Sequence, residues 1–297
     1  MPDLGVANLL LIVVAGSAVG FVSGVFGVGG GFLIVPVLHI GMGLPIQMAV
    51  GSAACQVLGP ATTSLVARRF SREDLRLPLI VAGGITIGVY AGATLLHVLT
   101  SDAVPQPGSR GSNAGNLLVL SVYLPLLLTL GGFSLWEAQR ELDQRPIRSG
   151  WIARWPIPPT ARLTAFTQGP VSIPVLSWFG LGVGFLSGLL GFSGGLLLLP
   201  GLIYLLGLSW RAAVANSMAI VWLIAVQSTI AHAWHEHVQL LVVAGLLLGG
   251  TFGARLGVHF SAEVTPVRGR RSFGWLALAT AAVITLKLGM LLNSPDP

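Results

Sequence analysis

Eight apolar runs, each near the twenty or so residues an α-helix needs to cross a bilayer, make up most of this chain. They lie at about 5–26, 46–67, 78–99, 117–136, 171–190, 211–231, 240–260 and 272–293. Two shorter apolar pieces, 31–43 and 195–207, follow the first and the fifth. Only 9% of the 297 residues are Asp, Glu, Lys or Arg, against about 25% in an ordinary soluble domain. So few charges could not cover the surface of a soluble fold. The chain therefore reads as an all-α polytopic membrane protein whose constant partner is the lipid bilayer. The first run is a poor secretory signal, because Met1 to Asn8 holds Asp3 and no basic residue.

The net charge of +6 comes from 15 Arg and one Lys, Lys287. The arginines fall in the loops between apolar runs, as expected where basic loops stay in the cytoplasm. They are not interleaved with aromatic residues, so no nucleic-acid partner is expected. Cys55 is the only cysteine, which excludes an internal disulfide.

The chain contains a repeat. GFVSGVFGVGGGFLIVP at 20–36 returns as GFLSGLLGFSGGLLLLP at 184–200. The offset of 164 holds without a gap from Gly20/Gly184 to Val57/Val221, and 15 of those 38 positions are identical. Gly88-x-x-x-Gly92-Ala93 likewise returns as Gly249-x-x-x-Gly253-Ala254. Duplication is the direct explanation. It divides the chain into a first transmembrane repeat, 1–136, a cytoplasmic Arg/Pro-rich linker, 137–170, and a second transmembrane repeat, 171–297.

Loop charges set the expected orientation. Loop 68–76 carries Arg68, Arg69, Arg72 and Arg76, whereas its counterpart 232–239 has no Lys or Arg. Loop 100–116 has only Arg110, whereas its counterpart 259–273 has Arg268, Arg270 and Arg271. The basic side swaps between halves, as inverted repeats require. With the basic loops inside, 5–43 and 171–207 each become a broken, re-entrant hairpin, and each repeat adds three transmembrane helices. A parallel arrangement of four and four crossings is the competing topology.

Each hairpin would turn at a glycine cluster. Bare backbone inside a bilayer must be covered by protein or line a cavity, and helix N-termini with free N–H groups favour an anion. Gly29, Gly30 and Gly31 in one turn, and Ser193, Gly194 and Gly195 in the other, are therefore the candidate binding backbone. Gly20, Gly24, Gly184 and Gly188, spaced four apart, read instead as close helix packing. Ser52 and Gln56 in one half, and Asn216 and Ser217 in the other, are polar groups inside apolar runs. They fit either the ligand or a helix-to-helix hydrogen bond. Arg255 could neutralise an anion or reach the interface. His39, His97 and His259 read as interfacial residues, with proton transfer as the other reading. His232, His235 and His237 with Glu236 fall short of a metal set, and no metal or cofactor is expected. All ten Asp and Glu read as lying in loops or termini, which speaks against a carboxylate proton relay.

The doubled G-x-x-[SG]-G-x-x-G-x-[GS]-G-G-x-x-x-x-P element, the A-V-[GA]-[SN] stretch after it, and Gly253-Ala254-Arg255-Leu256 resemble the sulfite exporter TauE/SafE family. The resemblance covers both halves. It implies a multi-pass permease of the bacterial cell inner membrane for sulfite, a sulfonate or a related small sulfur-containing anion. The matching motif positions are Gly27, Gly30, Gly31 and Pro36, with Gly191, Gly194, Gly195 and Pro200. Ser52-Ala53 departs from the Thr-Ser type of pair common at that point in the family. An enzyme is not expected, since HExxH does not occur. A carrier of a different anion, a non-transporting accessory or assembly protein, and a homo-oligomer stay open.

Overall fold

The computed structural model describes residues 6–26, 29–67, 75–101, 110–142, 150, 152, 155, 157–166, 169–192, 194–261 and 264–293. The first half contains α1 (Val6–Phe26), α2 (Gly31–Pro36), α3 (Ile46–Ala67), α4 (Arg76–Ser101) and α5 (Arg110–Leu142). A two-residue ribbon, β1 (Thr160–Ala161) against β2 (Val171–Ser172), leads into the second half. There follow α6 (Ile173–Leu190), α7 (Gly195–Pro200), α8 (Trp210–Trp234), α9 (Leu240–Ser261) and α10 (Pro266–Asn293).

The two short helices are broken for a local reason. Pro36 and Pro200 lack the N–H that would continue an i→i−4 ladder, and their rings crowd the preceding turn. The chain answers by widening into π-helical turns, Val37–Gly41 after α2 and Gly201–Leu205 after α7. Each arm is thus about half a membrane thickness.

Seven helices among the described residues are long and apolar enough to cross a membrane. The expected run 46–67 forms α3 but is not one of them. Ser52, Gln56, Thr62, Thr63 and Ser64 dilute its apolar character, and it is tolerated because α3 is buried by neighbours: Ala49, Val50, Ser52, Ala53, Ala54, Gln56 and Val57 are all inaccessible.

Glycine seams bind the halves together. Gly16, Gly20 and Gly24 of α1 lie against Leu246, Gly250 and Ala254 of α9. Gly84, Gly88 and Gly92 of α4 lie against the stretch of α6 from Ser177 to Leu189. In both seams residue numbers rise together, so each pair is parallel. Without Cβ atoms the backbones approach until carbonyls touch Cα atoms, the small-residue contact that holds membrane helices together. Gly20, Gly24, Gly184 and Gly188 all sit in these seams. The first helix of each half is therefore clasped by the third long helix of the other.

One end of the bundle fixes further directions. Gly51 near the start of α3 packs on the backbone of His237, just before α9. His97, near the end of α4, and His232, near the end of α8, contact the same residue. Helices α3 and α9 therefore start where α4 and α8 finish. So α3 runs against α8, its counterpart by sequence, and α4 runs against α9.

Candidate functional site

The first broken arm begins against the second hairpin turn. Gly31, the first residue of α2, lies on Gly191 and Phe192 in the second turn, and a methyl on it would come within 2.7 Å of the Gly191 carbonyl. Gly30 and Gly194 occupy equivalent positions with φ of 70°. Their left-handed backbone is open to glycine and strained for other residues, and in each case a Cβ would come within 2.5 Å of a valine methyl, on Val19 and Val183 respectively. Gly29, Gly30, Gly31, Gly194 and Gly195 are all buried. Ser193 lies outside the described residues.

Helix α5 supports the second turn. Tyr123 is inaccessible, donates its hydroxyl to the Leu190 carbonyl at 2.7 Å, and meets Phe192 edge-on. That carbonyl belongs to the last turn of α6, where orphan acceptors need partners. Tyr123→Phe should lower stability by about 1 kcal/mol, readable as a small drop in the unfolding midpoint. An unchanged midpoint would show that the carbonyl finds another donor.

The remaining expected site residues divide. The Ser52 hydroxyl accepts from the Gln239 N–H at 3.2 Å, and Ser217 donates to the Val214 carbonyl at 2.9 Å. Both are spent on packing contacts. Gln56 is inaccessible, faces Gly250 of α9, and neither of its amide atoms has a protein partner. Asn216 donates to the Ala212 carbonyl at 2.9 Å while its Oδ1 has no protein partner. Ser52 and Gln56 thus turn toward α9. Ser23 and Ser187, equivalent buried residues of the repeated motif, stand one turn before the hairpin turns, and the Ser187 hydroxyl has no protein partner.

A cavity of about 450 Å³, counted with its open mouth, lies between the end of α1, α5, the α7 arm and the start of α10. Phe26, Ser134, Glu137, Tyr204, Arg270 and Phe273 line it. Arg270 Nε is 2.7 Å from Glu137 Oε1, and Arg270 also pairs with Glu141. Ser134 donates to the Arg270 carbonyl at 2.8 Å. The expectation that every carboxylate lies in a loop or terminus therefore fails: α5 runs on to Leu142, and Glu137 is 4% exposed. Counting apolar residues stops a helix at its first charge, but a charge with a partner on the facing helix continues it. Arg255, the cation singled out by sequence, is exposed instead.

Comparison with known proteins decides the family. The sulfite exporter TauE/SafE family matches residues 12–284. The chain belongs to that family. Among curated relatives, the probable membrane transporter protein YunE of Bacillus subtilis (strain 168) is 26% identical over 265 residues, covering 86% of this chain and 90% of YunE. The probable membrane transporter protein YdhB of the same organism is 23% identical over 256 residues, covering 85% of this chain and 90% of YdhB. The probable membrane transporter protein MamO of Paramagnetospirillum magneticum (strain ATCC 700264 / AMB-1) is 26% identical and covers 95% of this chain, which spans 45% of MamO. No solved structure matches. This TauE/SafE protein is a multi-pass membrane transporter, and its relatives carry transporter names rather than enzyme names.

Proposed function

We propose that the protein carries a small sulfur-containing anion, such as sulfite or an organosulfonate, across the bacterial inner membrane, and that its two hairpin turns hold the anion. The packing of Gly31, the first residue of α2, on Gly191 and Phe192 of the turn that leads from α6 into α7 carries this reading. The start of α2, with its unpaired N–H groups and the positive end of its dipole, thereby lies beside the turn that leads into α7. The unpartnered Oδ1 and the amide of Asn216, and the hydroxyl of Ser187, are further groups for an oxyanion to engage or for water to bridge.

The opposed directions of α3 and α8, and of α4 and α9, support inverted repeats, and the arginines of the linker favour the cytoplasm for it. Rocking one half against the other would then expose the turns alternately to each side. The family description supports export, and the substrate class rests on that description and on the anion-favouring turns.

Purified protein in proteoliposomes should show saturable uptake of labelled sulfite or isethionate, and not of a carboxylate control. Asn216→Leu should cut that flux by about tenfold or more while leaving the protein folded, since the Asn216 side chain bonds only within its own helix. Folded protein that moves neither sulfur anion would end this assignment of substrate.

A further inference from the structure

Four histidines from both halves gather at the end of the bundle where α4 and α8 finish. The rings of His97 and His235 stack with centroids 4.4 Å apart. Nδ1 of His97 is 3.3 Å from Nε2 of His237. Nδ1 of His237 is 3.4 Å from Nδ1 of His232. Exposure falls along this row, from half-buried His97 to His237 at 5% and His232 at 0%. Next to His232 is the backbone of Gly188. Ser228 lies one turn back on the same face of α8, and Ile224, a turn further, packs on Gly194. Ser228 Oγ and Ser187 Oγ are buried without protein partners. A line of polar atoms therefore runs from the surface to the second hairpin turn.

A neutral imidazole donates from one nitrogen and accepts at the other. His237 is engaged at both, so its neighbours are linked through it. We propose that His97, His237 and His232 form a proton relay, and that an anion binding at the second hairpin turn takes up a proton onto His232; this rests on the anion-carrier reading. A proton from water bonds to Nε2 of His97, and the Nδ1–H of His97 passes to Nε2 of His237. The Nδ1–H of His237 then passes to Nδ1 of His232. The first step breaks an O–H bond of a hydronium ion in that water and leaves a water molecule; each later transfer breaks one N–H bond and forms one. The proton stays on His232, where its charge offsets that of the anion.

Among the described residues, the ionisable neighbours of the row are its own members. His97 and His235 face His237, His237 and His235 face His232, and His97 faces His235. Glu236 beside them is exposed, while α3 and α6 bring Gly51, Ser52 and Gly188. Burial first, then His97 and His235, lowers His237 to about 4. It is uncharged at neutral pH before the anion binds. Metal binding is a poor competitor: no group of three or more His, Cys, Asp or Glu among the described residues could hold an ion. An ion on Nε2 of His237 would also not reach its Nδ1.

The test uses purified full-length protein in weak buffer with a pH-sensitive dye, and isethionate, which holds no titrating proton near neutrality. Wild type should take up about one proton per isethionate bound. His237→Gln should take up the same amount about tenfold or more slowly. His232→Gln should bind without uptake, and His39→Gln should behave as wild type. Binding without proton uptake in the wild type, or normal speed in His237→Gln, overturns the relay and leaves the anion carrier standing. If isethionate does not bind, the carrier reading fails for that probe. The relay is then decided by ¹⁵N NMR of the histidines in lipid: His97→Phe should shift the titration of His232, and an unmoved titration overturns it.

Discussion

Gly253→Val should leave almost no folded protein. A methyl group at this position would lie inside the van der Waals surface of the Ser17 carbonyl, with the Phe21 amide beside it. Both are backbone atoms of α1, so no rotamer change relieves the clash. Overpacking costs about 1–3 kcal/mol even where side chains can yield, and here two helices must separate. The separation would also open the contacts at Gly20 and Gly249 in the same seam. Against a net stability of about 5–15 kcal/mol, that is a large fraction. Gly83→Val is the control, because no atom lies within 4 Å of a Cβ built there. A fluorescent fusion run on a sizing column in detergent reads both. A monodisperse, thermally normal Gly253→Val would show that the seam is looser than its geometry.

Arg270→Met should destabilise the protein by about 3–5 kcal/mol, the usual result of leaving one buried partner of an ion pair alone. The side chains of Arg270 and Glu137 are 13% and 5% exposed. Removing the guanidinium leaves the Glu137 carboxylate facing Phe26, Phe133 and Phe273 with no cation beside it. Adding Glu137→Leu should return more than half of the loss, because two apolar side chains avoid desolvating two charges. Unfolding midpoints of the single and double variants decide this. A double variant as unstable as Arg270→Met would mean that the pair does more than neutralise itself. With Glu137 and Glu141 both on Arg270, this group clamps α10 to α5 rather than presenting free positive charge to an anion.

The long helices were legible because hydrophobic length is a one-dimensional property. The run 46–67 coincides with α3, and 240–260 with α9 but for one residue. The hairpin arms were legible through Pro36, Pro200 and the glycines repeated at an offset of 164. The charged end of α5 was not legible, because Glu137 belongs in a helix only through Arg270, far away in sequence. The histidine row was hidden for the same reason. His97 looked interfacial and His232, His235 and His237 looked like an incomplete metal set in loop 232–239, because each was weighed against its own segment.

By itself the sequence determined that this chain lives in a bilayer, that it is doubled, and where its helices break. Bilayer thickness, helix rise and proline chemistry act on residues near one another in the chain. Only the tertiary structure decided which helices share a seam, that α2 starts against the second hairpin turn, and that α4 brings His97 to His237. Those outcomes depend on shape and close approach between distant segments. Glycine spacing announces that some backbone will come close there, but not which one.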